Sequence, residues 1–222
     1  GSLSASHYSN YPPINQLFFA FCSFFGNNSI FISALLLKLI ILFSDIGIYH
    51  YGKKILLFLN QNPKKIFLYF LNPLVVIELT GNLHFEGVML FFFVVGLYLF
   101  LKERWILAAV FIALSISTKL LPLLLLPFFY QRLGFKRSIY FFSIIIGISA
   151  VTFVPFISQK LISNYTETIG LWFTNFEFNA SIYYLVREIG FYVKGYNIIR
   201  IVGKITPIIT LLVILYFAIF NT

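Results

Sequence analysis

The polar residues of the stretch 71–87 (LNPLVVIELTGNLHFEG) are those whose types and spacing could do chemistry. Glu78, Asn82, His84 and Glu86 stand beside or between apolar runs that are too long for a soluble protein. Ionisable groups near a bilayer core are costly and therefore usually mark a site. A carboxylate beside an imidazole could bind a metal ion, a sugar hydroxyl or a proton. Alternatively, they are hydrated loop residues, with Glu86 favoured at the start of the next helix.

Lys119 is a further candidate because it follows a short apolar helix and precedes Leu-Leu-Pro. A lysine at the mouth of a helical bundle can hold a phosphate or a carboxylate, or it can simply extend its ammonium to the surface. Tyr11, followed by two prolines, could form a rigid wall of the same mouth or only a turn. The segment 175–187 (NFEFNASIYYLVR), with Asn179 and Arg187, suits sugar binding and an interfacial belt equally.

Composition places these residues in a membrane protein. Of 222 residues, 60% are hydrophobic and 10% are charged, and the mean hydropathy is +0.92. A soluble domain has about 25% charged residues. The net charge of +9 comes from short basic clusters between apolar runs, which is typical of cytoplasmic loops and not of a nucleic-acid surface. The single Cys22 excludes an intrachain disulfide, and the absence of a Walker or dinucleotide motif argues against a soluble nucleotide-sugar site.

The apolar runs predict a polytopic all-α bundle of about seven membrane-spanning or short paired helices in a single domain, residues 1–222. The run 14–25 is too short to span, so it predicts an interfacial helix within an external segment formed by residues 1–29. Ser29 is the predicted N-cap of the next helix. The chain starts without methionine or a signal sequence and ends straight after an apolar run. We therefore expect a fragment that lacks a transmembrane helix upstream.

The later apolar runs alternate between the two membrane faces. Residues 30–51 predict a full span, and residues 66–80 predict a return helix that Asn72-Pro73 loosens. Beyond the turn at 81–86, further helices are predicted at 87–101, 105–117, 120–130, 138–156 and 205–220. Residues 158–204 predict an external loop that folds partly as amphipathic helices.

The basic residues between these helices determine the predicted orientation. They fall on one side, which the positive-inside rule assigns to the cytoplasm. These residues are Lys53, Lys54, Lys64, Lys65, Lys102, Arg104, Arg132, Lys136 and Arg137. Glu86, Lys119 and the long loop fall on the other side, so we expect the chemistry at the outer face.

Three motifs in a fixed order carry a family resemblance. SNYPPINQ is followed by NPLVVIELTGNLHFEGVM and then by STKLLPLLLLP, over roughly residues 7–157. This succession resembles the polyprenol-phosphate-dependent C-type (GT-C) glycosyltransferases, in particular the bacterial integral-membrane mannosyltransferases. The resemblance implies a GT-C bundle in the bacterial inner membrane. It also implies inverting transfer of a sugar, expected to be mannose, from a polyprenyl-phosphate donor to a glycan or glycolipid acceptor at the periplasmic face.

The same resemblance implies roles for individual residues. The family's catalytic aspartate lies in the first external loop, before the YPP segment, whereas the one aspartate here, Asp45, falls in a predicted span. We therefore expect the base upstream of residue 1, supported by Glu86 (often aspartate in relatives) and His84. Some relatives with acidic second loops use a divalent metal, so this cofactor stays open, although His84 and Glu86 alone are too few ligands to predict a metal site. Substrate binding is assigned to Asn82, Lys119, Tyr11, Asn179, Arg187 and Arg200.

Two other classes of function stay open. A transporter or flippase of a lipid-linked or anionic solute would use the same intramembrane charges, including Lys38 and Asp45, which share one helix face. The alternative for these two residues is a buried contact between helices. Inverted repeats would favour transport, and the sequence shows none. A non-catalytic membrane subunit is the third class, and the missing first-loop aspartate would be its reason.

Overall fold

The computed structural model describes residues 11–27, 29–174 and 181–220, and within these ranges every regular element is a helix. The helices divide into two compact units, one from Tyr11 to Pro155 and one that begins at Phe156. The predicted all-α class is confirmed. The assignment of residues 1–222 to a single domain, with external segments 1–29 and 158–204, stays a prediction.

The first unit opens with a helical hairpin. α1 (Pro13–Gly26) starts on a proline, which suits the first turn because an N–H group would have no helical partner there. Asn27 follows in a left-handed conformation with φ 45°. Ser29 then caps α2 (Ile30–Phe58) by accepting a hydrogen bond from the Ile32 N–H at 3.3 Å. The predicted short helix and the predicted N-cap are both confirmed, and α2 is longer than predicted.

A broken segment follows α2, where the sequence predicts one helix over residues 66–80. It consists of a 3₁₀ turn at Pro63–Ile66, the short helix α3 (Phe67–Phe70) and a π-helix at Val75–Gly81. The prediction of a continuous helix is wrong because Asn72-Pro73 starts a new segment. The Asn72 side-chain oxygen accepts a hydrogen bond from the Leu74 N–H at 3.0 Å, and proline has no N–H to continue the preceding helix.

α4 (Glu86–Leu101) and α5 (Trp105–Thr118) form the centre of the first unit. They approach closely at Gly96, where a Cβ atom would lie 2.8 Å from the Ile112 side chain and 3.3 Å from the Ala108 carbonyl oxygen. Glycine is therefore the residue that fits this contact without displacing its neighbours. Both helices are confirmed as predicted.

The chain leaves α5 through a 3₁₀ segment, Leu121–Phe129, and continues as α6 (Tyr130–Phe153). Pro122 and Pro127 remove backbone donors from the first of these segments, which disfavours regular α-helix there. Gly134 interrupts α6 with φ 68°. The predicted helix at 120–130 is thus a 3₁₀ segment, and α6 begins earlier in the chain than predicted.

The core of the first unit lies between α4, α5 and α6. The rings of Phe100, Phe129 and Phe141 form a cluster with centroids 4.7 to 5.9 Å apart, and α5 supplies small buried residues around them. Aromatic contacts at these distances add stabilisation beyond the burial of area. This core holds α4, α5 and α6 together.

Within the part of the chain that the structure describes, three helical stretches are long and apolar enough to cross a membrane: Ile30–Phe58, Leu121–Phe156 and Ile199–Phe220. The π-helix and α4, bent by 105°, would count as a fourth crossing if taken together. α4 has 16 residues and α5 has 14, so their lengths along the helix axis are only about 24 and 21 Å. The hydrocarbon core of a bilayer is about 30 Å thick. The chain is therefore an all-α membrane protein that combines long spans with helices too short to cross.

The second unit contains α7 (Gln159–Thr174), α8 (Ser181–Lys194) and α9 (Ile199–Phe220). α7 and α8 are amphipathic, which agrees with the prediction for this part of the chain. Asn197 connects α8 to α9, because its side-chain oxygen accepts hydrogen bonds from the Tyr183 hydroxyl at 2.7 Å and from the Ile199 N–H at 3.0 Å. α9 starts earlier than the predicted final span.

Candidate functional site

α2 runs parallel to α4 and extends beyond it. Gly87, in the first turn of α4, lies against Ile41, since a Cβ atom there would be 3.6 Å from the Ile41 side chain. Near the other end of α4, the rings of Tyr98 and Tyr51 have centroids 5.5 Å apart. Residues 30–40 of α2 therefore continue past the level at which α4 begins. We call the end of the first unit where α4 begins and α5 ends the polar end.

The turn that precedes α4 has an unusual backbone. Leu83 adopts φ 58°, a left-handed conformation that bulky side chains rarely take. Its side chain packs against the buried cluster around Phe85, and this packing holds the conformation. Backbone strain of this kind concentrates at functional sites because the surrounding structure must maintain it. Leu83 separates Asn82 from His84, the two polar residues of the turn.

An ion pair joins α4 to α5 at the polar end. Glu86 is the first residue of α4, and its Oε1 accepts a hydrogen bond from Nζ of Lys119, which follows the last residue of α5. The two side chains are 26% and 32% exposed, so the pair is partly removed from water. The helix dipoles favour an anion at the start of α4 and a cation at the end of α5. The local fold therefore supports both charges where they stand.

His84 lies between two carboxylates. Its Nδ1 is 3.6 Å from Glu86 Oε2, and its Nε2 is 3.8 Å from Glu78 Oε2. Both distances exceed those of hydrogen bonds, so the ring nitrogens are available to a bound polar group. Asn82 donates a hydrogen bond from Nδ2 to Glu78 Oε2 at 3.2 Å. Asn82, Glu78, His84, Glu86 and Lys119 thus form one continuous line of polar side chains, which we call the polar row.

α1 is anchored beside the polar row. Asn15 is fully buried, and its Nδ2 lies 3.5 Å from the carbonyl oxygen of Thr118 at the end of α5. Phe19 contacts Phe85 at 5.3 Å between ring centroids, and Tyr11 contacts Phe19 edge-on at 5.9 Å. Tyr11 is thus linked through Phe19 to Phe85, the residue that precedes Glu86, and its role as a wall of the site stays a prediction.

The other predicted site residues belong to the second unit or lie outside the described residues. Arg187 of α8 pairs with Glu188 at 3.2 Å and lies over the Tyr184 ring at 4.9 Å. Arg200 is exposed near the start of α9. Asn179 lies outside the residues that the structure describes. The roles of these three residues in substrate binding stay predictions, whereas the four residues predicted in the turn and after α5 all belong to the polar row.

Sequence reasoning misplaces Glu78 and misses Leu83. It assigns Glu78 to a rising helix, but the π-helix carries this carboxylate back to the turn, where it meets Asn82 and His84. The available signal is the charge itself, because a carboxylate within an apolar run indicates a functional site. Leu83 has no comparable signal, since leucine does not normally indicate a left-handed turn.

The polar row is suited to a ligand that combines hydroxyl groups with a negative charge. The row offers two carboxylates, an imidazole, an amide and an ammonium. Carboxylates and amides bind hydroxyl groups, and the Lys119 ammonium attracts phosphate oxygens. Among the described residues, His, Cys, Asp and Glu side chains form no group of three suited to a metal ion.

Comparison with known proteins identifies the family of this chain. The family model for the alpha-(1->6)-mannopyranosyltransferase N-terminal domain matches residues 5–133, which is more than half of the chain. The matched range contains the whole polar row. No curated protein and no solved structure gives a significant match. The predicted resemblance to C-type mannosyltransferases is confirmed, and the chain belongs to the alpha-(1->6)-mannopyranosyltransferase family of membrane enzymes.

Proposed function

We propose that this enzyme transfers mannose from a polyprenyl-phosphate donor to a glycan or glycolipid acceptor at the periplasmic face of a bacterial inner membrane. The observation that carries the proposal is the ion pair of Glu86 and Lys119 at the polar end. It provides a partly desolvated cation beside hydrogen-bonding side chains, and an apolar groove contacts Phe85, the residue that precedes Glu86. A donor made of a phosphate, a sugar and a lipid tail needs these three surfaces side by side.

Lys119 is the group that holds the donor phosphate in this proposal. Negative charge develops on the phosphate oxygens as polyprenyl phosphate departs, and a preorganised ammonium stabilises that charge. Its effect is larger in a partly desolvated site than in bulk water. Before the donor binds, Glu86 neutralises Lys119. The phosphate then competes for the ammonium and leaves the Glu86 carboxylate free to accept a hydrogen bond from a sugar hydroxyl.

Glu86 and His84 orient the sugar rather than act as the base. Inversion requires a carboxylate that takes the proton of the acceptor hydroxyl as its oxygen attacks the anomeric carbon. In the donor complex the Glu86 carboxylate accepts a hydrogen bond from the sugar, so we assign the base to the first-loop aspartate that the family resemblance implies. Asn82 and Tyr11 complete the sugar contacts in this proposal. Further substrate contacts are proposed for Asn179, Arg187 and Arg200.

An apolar groove supports the lipid-linked donor. It has a volume of about 660 Å³ and is lined by one face of α1 and by Ile40 of α2. Phe18 lines the groove and also contacts Phe85 at 5.7 Å between ring centroids, so the groove reaches the residue that precedes Glu86. Burial of hydrocarbon contributes about 25 cal/mol per Å². We assign this groove to the first isoprene units of the donor tail.

The distribution of charge supports a site that faces away from the cytoplasm. The end of the first unit opposite the polar end carries basic side chains. Lys102 lies over the Phe58 ring at 4.9 Å, and Arg132 lies over the Phe100 ring at 5.7 Å. Short basic loops favour the cytoplasmic side of a membrane. The polar end is then the periplasmic end.

The test is mannosyl transfer by the full-length protein in proteoliposomes. Mannose-labelled polyprenyl phosphate and labelled GDP-mannose are supplied in parallel with an acceptor glycan, and labelled glycoside is measured. The proposal predicts label transfer from the lipid donor alone. Transfer from GDP-mannose would contradict the donor assignment. Consumption of the lipid donor without glycoside formation would indicate transport or hydrolysis in place of transfer.

A further inference from the structure

Asp45, the one aspartate of the chain, takes no part in the polar row, yet it contacts the segment that carries the row. We propose that Asp45 is a positioning residue. It holds the π-helix Val75–Gly81 through Thr80 and so places Glu78, Asn82 and His84 in the polar row. This inference rests on the proposed function for its kinetic test and on a separate measurement for its structural test.

The contact is a hydrogen bond between distant parts of the chain. Thr80 Oγ1 donates to Asp45 Oδ2 at 3.1 Å, across 35 positions of sequence. Asp45 lies in the middle of α2, beside the first turn of α4. A Cβ atom on Gly87 of that turn would be 3.9 Å from Asp45 Oδ1. Because α2 packs along α4, the bond ties the π-helix to the same frame that carries Glu86.

The hydrogen bond from Thr80 to Asp45 holds the π-helical segment that carries Glu78 and leads to Asn82 and His84. Asn82 N–H donates to the Ile77 carbonyl oxygen at 2.9 Å, and His84 N–H donates to the Leu79 carbonyl oxygen at 3.0 Å. Both bonds reach back five positions, which is the π-helical pattern, and Thr80 lies between their donors and acceptors. A return to α-helical winding would shift Asn82 and His84 around the helix axis relative to Glu78. Asn82, four positions after Glu78, would stay its neighbour in an α-helix, so it is the contact of Glu78 with His84, six positions on, that depends on this winding.

Packing alone does not account for the carboxylate. Asp45 Oδ1 and the Tyr69 hydroxyl oxygen are both inaccessible and lack a hydrogen-bond partner among the described residues. A buried polar atom without a partner destabilises the fold, and an apolar residue of similar size would avoid this penalty. π-helical turns are rare and occur mostly at functional sites. The hydrogen bond from Thr80 to Asp45 therefore requires a destabilising buried carboxylate beside a rare helical turn. A role in positioning the polar row explains why this carboxylate is present.

Lys38 does not explain Asp45. It shares a helix face with Asp45 in the sequence pattern, but its side chain is exposed, and Asp45 bonds to Thr80 instead. Ser44 offers a matched control on the same helix. It is buried, and its hydroxyl donates to the Ile40 carbonyl oxygen of α2 itself at 2.9 Å. Removal of that hydroxyl leaves the π-helix untouched.

The kinetic test compares Thr80→Val, Asp45→Leu, the double variant and Asp45→Asn, with Ser44→Ala as control, in the full-length enzyme. Rates are normalised to the folded fraction, so that loss of folded protein is not read as a lower kcat. We expect kcat to fall about tenfold in each of the first two variants, with the KM of the lipid donor unchanged. The double variant should be no slower than either single variant, because both remove the same bond. Asp45→Asn keeps an acceptor for Thr80 and should retain activity, as should Ser44→Ala.

Three results would each overturn the inference: wild-type rates in Thr80→Val, additive losses in the double variant, or a loss in Asp45→Asn equal to that in Asp45→Leu.

The structural test is hydrogen exchange of the detergent-solubilised protein without substrate. Thr80→Val and Asp45→Leu should speed exchange of amides in residues 75–84 and leave those of α5 unchanged. Unchanged exchange at 75–84 would overturn the tether. If the wild-type enzyme does not use the lipid donor, the proposed function fails, while this measurement still decides the role of Asp45.

Discussion

Replacement of either member of the Glu86–Lys119 pair should separate donor binding from turnover. In Lys119→Met the donor phosphate loses its counter-charge and meets the unpaired Glu86 carboxylate. Exposed ion pairs contribute at most about 1 kcal/mol, and breaking a buried pair costs about 3–5 kcal/mol. With side chains 26% and 32% exposed, the pair lies between these limits. About 2 kcal/mol corresponds to a rise of about 30-fold in the KM of the lipid donor.

Glu86→Gln should have a different signature. Lys119 is then unneutralised and binds the phosphate at least as well, so the KM of the donor should stay the same or fall. The sugar loses a charged acceptor, so kcat should fall about tenfold. Initial rates against donor concentration measure both parameters. Lys136→Met and Glu103→Gln are matched controls, because both residues are exposed and lie away from the polar row.

The refuting result is clear. If Lys119→Met and Glu86→Gln both keep wild-type kcat and KM, the ion pair has no part in donor use. If both lower the folded fraction and leave the kinetics of the remaining enzyme unchanged, the pair only connects α4 to α5.

Three further predictions follow from the packing of the first unit. Leu17→Trp should fill the groove and raise the KM of a long-chain donor but not that of a short-chain donor. The control Phe43→Trp, on an exposed position of α2, should leave the KM of both donors unchanged, and equal effects of the two variants would show that the groove does not bind the donor. Burial raises the pKa of the Cys22 thiol, so at pH 8 it stays protonated, and maleimide should label it slowly in the folded protein and fully in SDS; rapid labelling in the folded protein would contradict the burial of Cys22. Gly96→Val should destabilise the protein by about 1–3 kcal/mol because its side chain would overlap Ile112, and an unchanged melting temperature would show that α4 and α5 can separate there.

The helices with apolar runs and local end signals could be predicted from the sequence. Ser29 at the start of α2 is such a signal, since its side chain satisfies a backbone N–H that has no helical partner. It could also be predicted that Glu86 and Lys119 lie at the same end of the bundle, because the alternation of the helices brings both residues to the same side. That they form one ion pair depends on the core between α4 and α5, which the sequence pattern does not specify.

The π-helix could not be predicted because its determinants are distant in sequence. Its winding coincides with the bond from Thr80 to Asp45 and with the packing of Leu83 against the cluster around Phe85. Both are tertiary contacts, and a single sequence without its fold does not show them. The contact of Glu78 with His84 could not be predicted for the same reason, because residues six positions apart do not face each other on a regular α-helix.

Photo-crosslinking of the donor tests the central claim most directly. A polyprenyl phosphate with a photoreactive group on its first isoprene unit is irradiated with the full-length enzyme, and the labelled peptides are identified by mass spectrometry. We predict labels in α1 around Phe18 and at residues 83–89 and 115–120, which Lys119→Met reduces and Lys136→Met does not. Labels confined to the basic loops or to residues after Phe156, unchanged in Lys119→Met, would contradict a donor site at the polar end.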